Sequence, residues 1–452
     1  MGPTSLTQGG IFKKLVLLAL PIMGGQFMNM AYTLADIFWL GLYSSGAVAA
    51  SATAMMYLWL AIAVMLFLRT GTEIGVSQNI GRGDRAGAQE YAERCLTLSV
   101  VLGVVIAAIF IGARQPLIGL FAIQEAWVVS EAERFLAVTA LSIPLLFVSG
   151  TISACFQASG DTRTPFFILS TGVVTNIVMD PIFIFLMGMG TIGAAYATLV
   201  ARVLEISLYV WAIRRKTVRP FEKVRFFSLP KLWLWDKVHR DILRWGTPVA
   251  VESGMFTILS MIIARFVAEW GTGAMAVQRV GFQVEALSWL VGMGFGIAVT
   301  AFIGQNYGAR KFGRIHSVFK ISLLTMTVYG FFVSLLLYFG GEHIIGLFLH
   351  DPEEVRMGGN LLRTLAFVQI PTAFEASMAG CFRGRGLTLP PSITSITCNS
   401  LRVPLAFYLS QGPLGLDGIW IAVAIGAAMR GILILLWMLW DKRNIPSEDA
   451  HV

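Results

Sequence analysis

The chain has 452 residues, of which 56% are hydrophobic and only 13% charged, with a net charge of +8 and a mean hydropathy of +0.72. A soluble domain carries about a quarter of its residues as Asp, Glu, Lys and Arg, so the composition excludes an ordinary soluble protein. It also leaves no basic soluble domain to bind nucleic acid. Apolar stretches long enough to cross ~30 Å of hydrocarbon recur throughout, and only helices or closed barrels satisfy their backbone there. The expected class is an all-α polytopic membrane protein.

Twelve spans are predicted, over approximately 15–40, 47–78, 91–114, 130–157, 164–187, 191–215, 241–268, 276–303, 315–340, 357–385, 388–410 and 415–440. In the first, Gln26, Asn29, Thr33 and Asp36 fall three, four and three residues apart, with Tyr32 one turn before Asp36. That spacing gathers them on one helix face. Phe27, Met30, Leu34, Ile37 and Phe38 occupy the opposite face. Pro21 removes one backbone hydrogen bond and is the expected hinge of this span. Lys13 and Lys14 before an apolar run imitate a secretory signal, but the run is too long and further spans follow, so no cleaved peptide is expected.

Alternate loops sort by charge. One set holds Lys13/Lys14, Arg82/Arg85, Arg163, the run from Arg214 to Arg240, Arg310/Lys311/Arg314, Arg383/Arg385 and Lys442/Arg443. The other holds Glu125, Glu131, Glu133, Glu269, Asp351, Glu353 and Glu354 and almost no Lys or Arg. The positive-inside rule therefore places both termini in the cytoplasm, and the expected location is the inner membrane of a prokaryote. Cys95, Cys155, Cys381 and Cys398 lie in or beside apolar segments and read as small core residues.

The two halves repeat. Pro21 matches Pro248, the QNIG at 78–81 matches the QNYG at 305–308, and Ile143-Pro144 matches Ile370-Pro371, all at an offset of 227. A slip of one residue aligns Cys155-Phe156 with Cys381-Phe382, and Asn176 and Pro181 match Asn399 and Pro404 at 223. Six spans per copy give both copies the same orientation, a parallel repeat about an axis along the membrane normal. The expected organisation is an N-terminal six-helix lobe (1–215), a basic cytoplasmic linker (216–240) carrying Trp233 and Trp235 near anionic lipid headgroups, a C-terminal lobe (241–440) and a cytoplasmic tail (441–452).

The Pro-to-Asp first helix, the duplicated turns QNIGRGD and GQNYGAR, the loops QASGDTRTP and FRGRG, and the stretch FLRTGTEIGVSQNIG at 67–81 together resemble the multidrug and toxic compound extrusion (MATE) family, in its DinF-like branch. The resemblance covers essentially the whole chain. It implies two six-helix lobes around a central cleft that opens alternately to either side, and antiport of amphipathic, often cationic compounds against protons or sodium. It also implies a role for Asp36 of span 1 and for Asn176 and Asp180 of span 5.

The repeat ranks the intramembrane carboxylates independently. Asp36 corresponds to Ile263 and Asp180 to Val403, so these charges are the N-terminal lobe's own. Counted at ~1.5 Å per residue from the span ends, Asp36, Asp180 and Thr198 lie in one layer. Tyr32, Asp36, Asn176, Asp180 and Thr198 are therefore expected to form one proton-coupling network. In low dielectric a carboxyl favours its protonated form, and two neighbours resist ionising together, so such a pair carries a proton from an acidic to a neutral side. The competing reading is that both carboxylates only fix helix packing. Arg69/Glu73 and Arg202/Glu205 read as internal ion pairs.

The resemblance also implies an alternative, a sodium site on acidic groups of the C-terminal lobe, for which Glu252, Glu375 and the nearby mid-membrane Glu285 are the candidates. Met28, Asn29, Met179, Phe156, Met261, Arg279 and Met293 are candidates for the substrate cavity, because methionine repacks around varied ligands and aromatic faces attract cations. For any single one of them, membrane core is the competing assignment. No GxxxxGK[ST] loop binds ATP and no HExxH motif binds zinc, so an ion gradient, without a cofactor, is the expected energy source and an enzyme is not expected. The expected partners are small amphipathic or cationic organic substrates, protons and membrane lipids, with the chain acting as a monomer. The rival transport reading is export of a lipid-linked or polysaccharide precursor.

Overall fold

The computed structural model describes residues 6–121, 123–215 and 236–441. Of the linker predicted at 216–240, residues 216–235, with Trp233 and Trp235, lie outside the described residues, as does the predicted tail from 442 onward, while residues 237–240 belong to a helix. Among the described residues all regular structure is helical. The elements are α1 (Ile11–Tyr43), α2 (Ser45–Arg82), α3 (Arg85–Gly112), the short α4 (Arg114–Gly119), α5 (Ala126–Ala158), α6 (Arg163–Pro181) with a π-helical turn at Ile182–Leu186, and α7 (Thr191–Arg214). They continue as α8 (Lys237–Ala268), α9 (Thr272–Gly308), α10 (Phe312–Gly346), α11 (Pro352–Ala366), α12 (Gln369–Gly384), α13 (Leu389–Ser410) and α14 (Gly415–Asp441).

Among the described residues ten helices are long and apolar enough to cross a membrane, or eleven spans if α11 and α12, bent by 50°, count as one. That bend corrects the continuous span predicted at 357–385. Pro371 removes an N–H, and its ring clashes with the carbonyl of the residue four earlier, Phe367, where α11 has just ended. The span predicted at 388–410 is the 22-residue α13, whose Ser392, Thr394, Asn399 and Arg402 are buried polar residues.

The chain divides into two compact units, one built on Gly24–Gly246 and the other on Leu6–Met23 with the chain from Thr247 onward. The first helix of each half thus changes unit beside its proline, α1 after Pro21 and α8 before Pro248. α1 nevertheless runs through Pro21 without a break.

Within the first unit α5 is central. A Cβ on Gly103 of α3 would lie 2.7 Å from the Pro144 Cα, so only glycine permits that crossing. In the second unit, Gly330 of α10 meets Ile370 of α12 in the same way, its added Cβ 2.9 Å from the Ile370 Cα. The duplicated QN turns also share their bonding. Asn79 Nδ2 donates to Gly75 O (2.7 Å) and Asn306 Nδ2 to Phe302 O (2.8 Å). Asp84 N donates to Asn79 O and Lys311 N to Asn306 O, each at 2.9 Å. The intervening residue has left-handed backbone in both units, but it is Gly83 (φ 79°) in one and Arg310 (φ 56°) in the other.

Each unit grips the start of the other half's first helix. In the second unit Leu6 N donates to Gln305 Oε1 (3.4 Å), Asn306 Nδ2 to Leu6 O (3.2 Å) and Lys311 Nζ to Thr7 O (2.9 Å), while Arg314 donates to the carbonyls of Leu6, Gln8 and Gly9. In the first unit Arg94 pairs with Asp236 (2.6 Å), Tyr91 OH donates to Asp241 (2.6 Å), and the Tyr91 ring stacks on Trp245.

Candidate functional site

The site lies inside the first unit, among α1, α6 and α7. Tyr32 and Asp36 stand one turn apart on α1, and Asn176 and Asp180 one turn apart on α6. Pro181 cannot continue the hydrogen-bond ladder, and the helix passes into a π-helical turn directly after Asp180. Asn176 and Asp180 are fully buried. The Asn176 amide donates to Asp180 Oδ1 at 3.4 Å, and the Tyr32 and Thr198 hydroxyls share a hydrogen bond of 2.7 Å. Asp36 lies close to both Tyr32 and Asp180.

One feature of this cluster is chemically incomplete. Asp36 Oδ1 and Asp180 Oδ2 are buried oxygens without a hydrogen-bond donor. Ionised carboxylates only accept, so two in contact cannot satisfy each other until one carries a proton. Arg202 is close enough to attract Asp36 and Tyr32, but its ion pair of 2.8 Å goes to Glu205. Arg202 and Glu205 border a cavity of about 10 Å³ that Asn29, Tyr32 and Thr198 also line, space for about one water. Gly172 makes room for Glu205, since an added Cβ would come within 2.4 Å of Glu205 Oε1.

The structure therefore brings Tyr32, Asp36, Asn176, Asp180 and Thr198 together. It adds Arg202 and Glu205, which sequence reasoning kept apart as an ion pair. Their signal was the polar stripe Thr198, Arg202, Glu205 and Tyr209 along α7, spaced four, three and four.

The glutamates of the alternative cation site are not gathered into one group; among the described residues no three carboxylates, His or Cys converge. Glu252 accepts from Ser392 Oγ (2.8 Å) and pairs with Arg383 (3.3 Å), Glu375 pairs with Arg430 (3.4 Å), and Glu285 lies near Arg430 and Arg402. Of the cavity candidates, Phe156 is fully buried and packs against Tyr209. Asn29 borders the small cavity, Met261 and Arg279 are exposed, and Met28, Met179 and Met293 are half-buried. All four cysteines are buried and free.

Repeated helical units with many apolar spans and a buried carboxyl cluster define a polytopic helical membrane protein. A family model, MatE, matches residues 21–182 and 248–408, one match in each half. The chain belongs to the MatE family and is thus a membrane transporter, not an enzyme. It is similar to the probable multidrug resistance protein NorM of Thermotoga maritima, 28% identical over 448 residues, which cover 97% of this chain and 95% of the relative. The multidrug export protein MepA of Staphylococcus aureus is 22% identical over 97% of this chain and 96% of its own. A crystal structure of MATE in the bent conformation has the same fold, with a TM-score of 0.90 at 24% identity, covering 98% of both chains.

Proposed function

We propose that this chain is a secondary multidrug efflux transporter that exchanges amphipathic, often cationic, organic compounds for protons by alternating access. The observation that carries the proton half is the pair of donorless oxygens, Asp36 Oδ1 and Asp180 Oδ2, on carboxyls close to each other. One proton held between them satisfies both. Tyr32, Thr198 and Asn176 orient the pair from the two sides. A proton entering down 100 mV supplies ~2.3 kcal/mol, which the exchange converts into export. The substrate half rests on the family and on relatives named for multidrug resistance and export. On this reading the chain works as a monomer in the inner membrane with both termini in the cytoplasm.

Sodium is the weaker reading, because Glu252 and Glu375 already hold arginine counter-ions and a cation would have to displace them. Export of an anionic lipid-linked precursor is weaker too, since the distinctive buried charges of the first unit are carboxylates. The test is substrate uptake into proteoliposomes under a proton gradient or a sodium gradient, each alone. Transport with the proton gradient and none with sodium is expected. Transport with sodium alone would move the coupling site to Glu252 and its neighbours.

A further inference from the structure

The polar stripe on α7 joins the carboxyl pair to a second carboxylate that the proposed exchange does not use. Thr198, Arg202, Glu205 and Tyr209 face the interior of the first unit over ~16 Å of helix. Thr198, Glu205 and Tyr209 are buried. Arg202 pairs with Glu205 at 2.8 Å, shares a cavity with Tyr32, and its charge reaches Asp36. The cavity bordered by Asn29, Tyr32, Thr198, Arg202 and Glu205 has room for one water at this junction.

We propose that Glu205 is a second proton carrier of this unit, exchanging its proton with the Asp36–Asp180 pair while Arg202 changes partner between them. The step balances. When the pair gives up its proton it gains one negative charge, and the Arg202 guanidinium turns to it from Glu205. Glu205, released from its counter-ion, takes the proton and becomes neutral. The net charge of the buried group is the same before and after, so the transfer adds no charge to the low-dielectric interior. Gly172 leaves the space that the Glu205 carboxyl occupies.

Beyond Glu205 polar side chains continue toward the Arg214 end of α7. Tyr209 lies near Ser153, Gln157 Nε2 donates to Ser153 Oγ (3.2 Å), Arg69 donates to Gln157 Oε1 (2.8 Å), and Arg69 pairs with Glu73 (2.8 Å). The groups that face Glu205 and its route are therefore Arg202 and Tyr209 on its own helix, Tyr32 and Asp36 from α1, Asp180 from α6, Arg69 and Glu73 from α2, and uncharged Ser153 and Gln157 from α5. The route leaves the pair along α7 and passes on to side chains of α5 and α2.

This inference rests on the proposed proton exchange, and its test separates the two. Full-length protein in proteoliposomes is assayed for ethidium exchange under a proton gradient, with ethidium binding measured alongside. Glu205→Gln is expected to bind ethidium as the parent does and to exchange it at least ~10-fold more slowly. Its rate should also lose dependence on the pH of the proton-receiving side, which a merely structural loss would not flatten. Glu205→Asp, which keeps a titratable group, should recover part of the rate. The double variant Arg202→Gln/Glu205→Gln strands no charge and should be equally slow, which keeps the test valid if Glu205→Gln does not fold. Parent rates in either Gln variant, with Asp36→Asn inactive, overturn the relay alone. Parent rates in Asp36→Asn overturn the exchange beneath it.

Discussion

The two units follow one plan and place their buried charges differently. In the first, Asp36 and Asp180 approach one another and each keeps an oxygen without a donor, while the nearest guanidinium belongs to Glu205. In the second, Glu252 and Glu375 each have an arginine, Arg383 and Arg430, within 3.4 Å. A paired carboxylate is already neutralised and gains little from a proton, whereas two facing carboxylates need one. Local features recur in both halves, among them the QN turns and the glycine crossings at Gly103 and Gly330. Duplication supplied the scaffold, and the placement of arginines separated the halves.

Substitutions can break that contrast. The largest effect is expected in the first unit: Asp36→Asn or Asp180→Asn should lower proton-driven exchange by ~100-fold or more, with the folded protein still recovered, as read in proteoliposomes. In the second unit Glu375→Gln removes the ion-pair partner of the half-buried Arg430. It should cost about 3 kcal/mol of stability, seen as a lower thermal midpoint, while the folded fraction retains proton coupling. A proton-coupling loss in Glu375→Gln at unchanged stability would erase the distinction between the units.

A smaller effect concerns the grip on the start of α8. Burial raises the Asp236 carboxyl, but the His239 backbone N–H and ring and the Arg94 charge outweigh it and hold the carboxyl below its ordinary value. A carboxyl depressed by folding stabilises fully above its unfolded pKa and loses that contribution as pH falls through its folded one. The parent's stability advantage over Asp236→Asn should therefore vanish on acidification below the ordinary carboxylate range, measured by thermal melts across pH. The smallest effect is Arg310→Gly. It gives the second unit the residue that Gly83 provides in the first and relieves left-handed strain, raising stability by about 1 kcal/mol.

Much of the first unit's site was legible because helices translate spacing into position. Tyr32/Asp36 and Asn176/Asp180 each lie one turn apart, and counting residues from the span ends placed them in one layer with Thr198. Tertiary partners were not legible. Nothing local in the sequence announces that Arg383 reaches Glu252 across 131 residues, or that Phe156 packs against Tyr209. The exchange of helix starts between units was hidden for a related reason: α1 is one continuous helix with no break to mark the change. The bend at Phe367 escaped because its cause, Pro371, has a counterpart in Pro144 that α5 carries without breaking.

Proton release on substrate binding tests the central claim most directly. Purified transporter in weakly buffered detergent solution is mixed with ethidium, and a pH indicator counts protons freed per ethidium bound. The carboxyl pair predicts about one proton per ethidium from the parent and none from Asp36→Asn. Equal release from both proteins, or release that requires sodium, would contradict it.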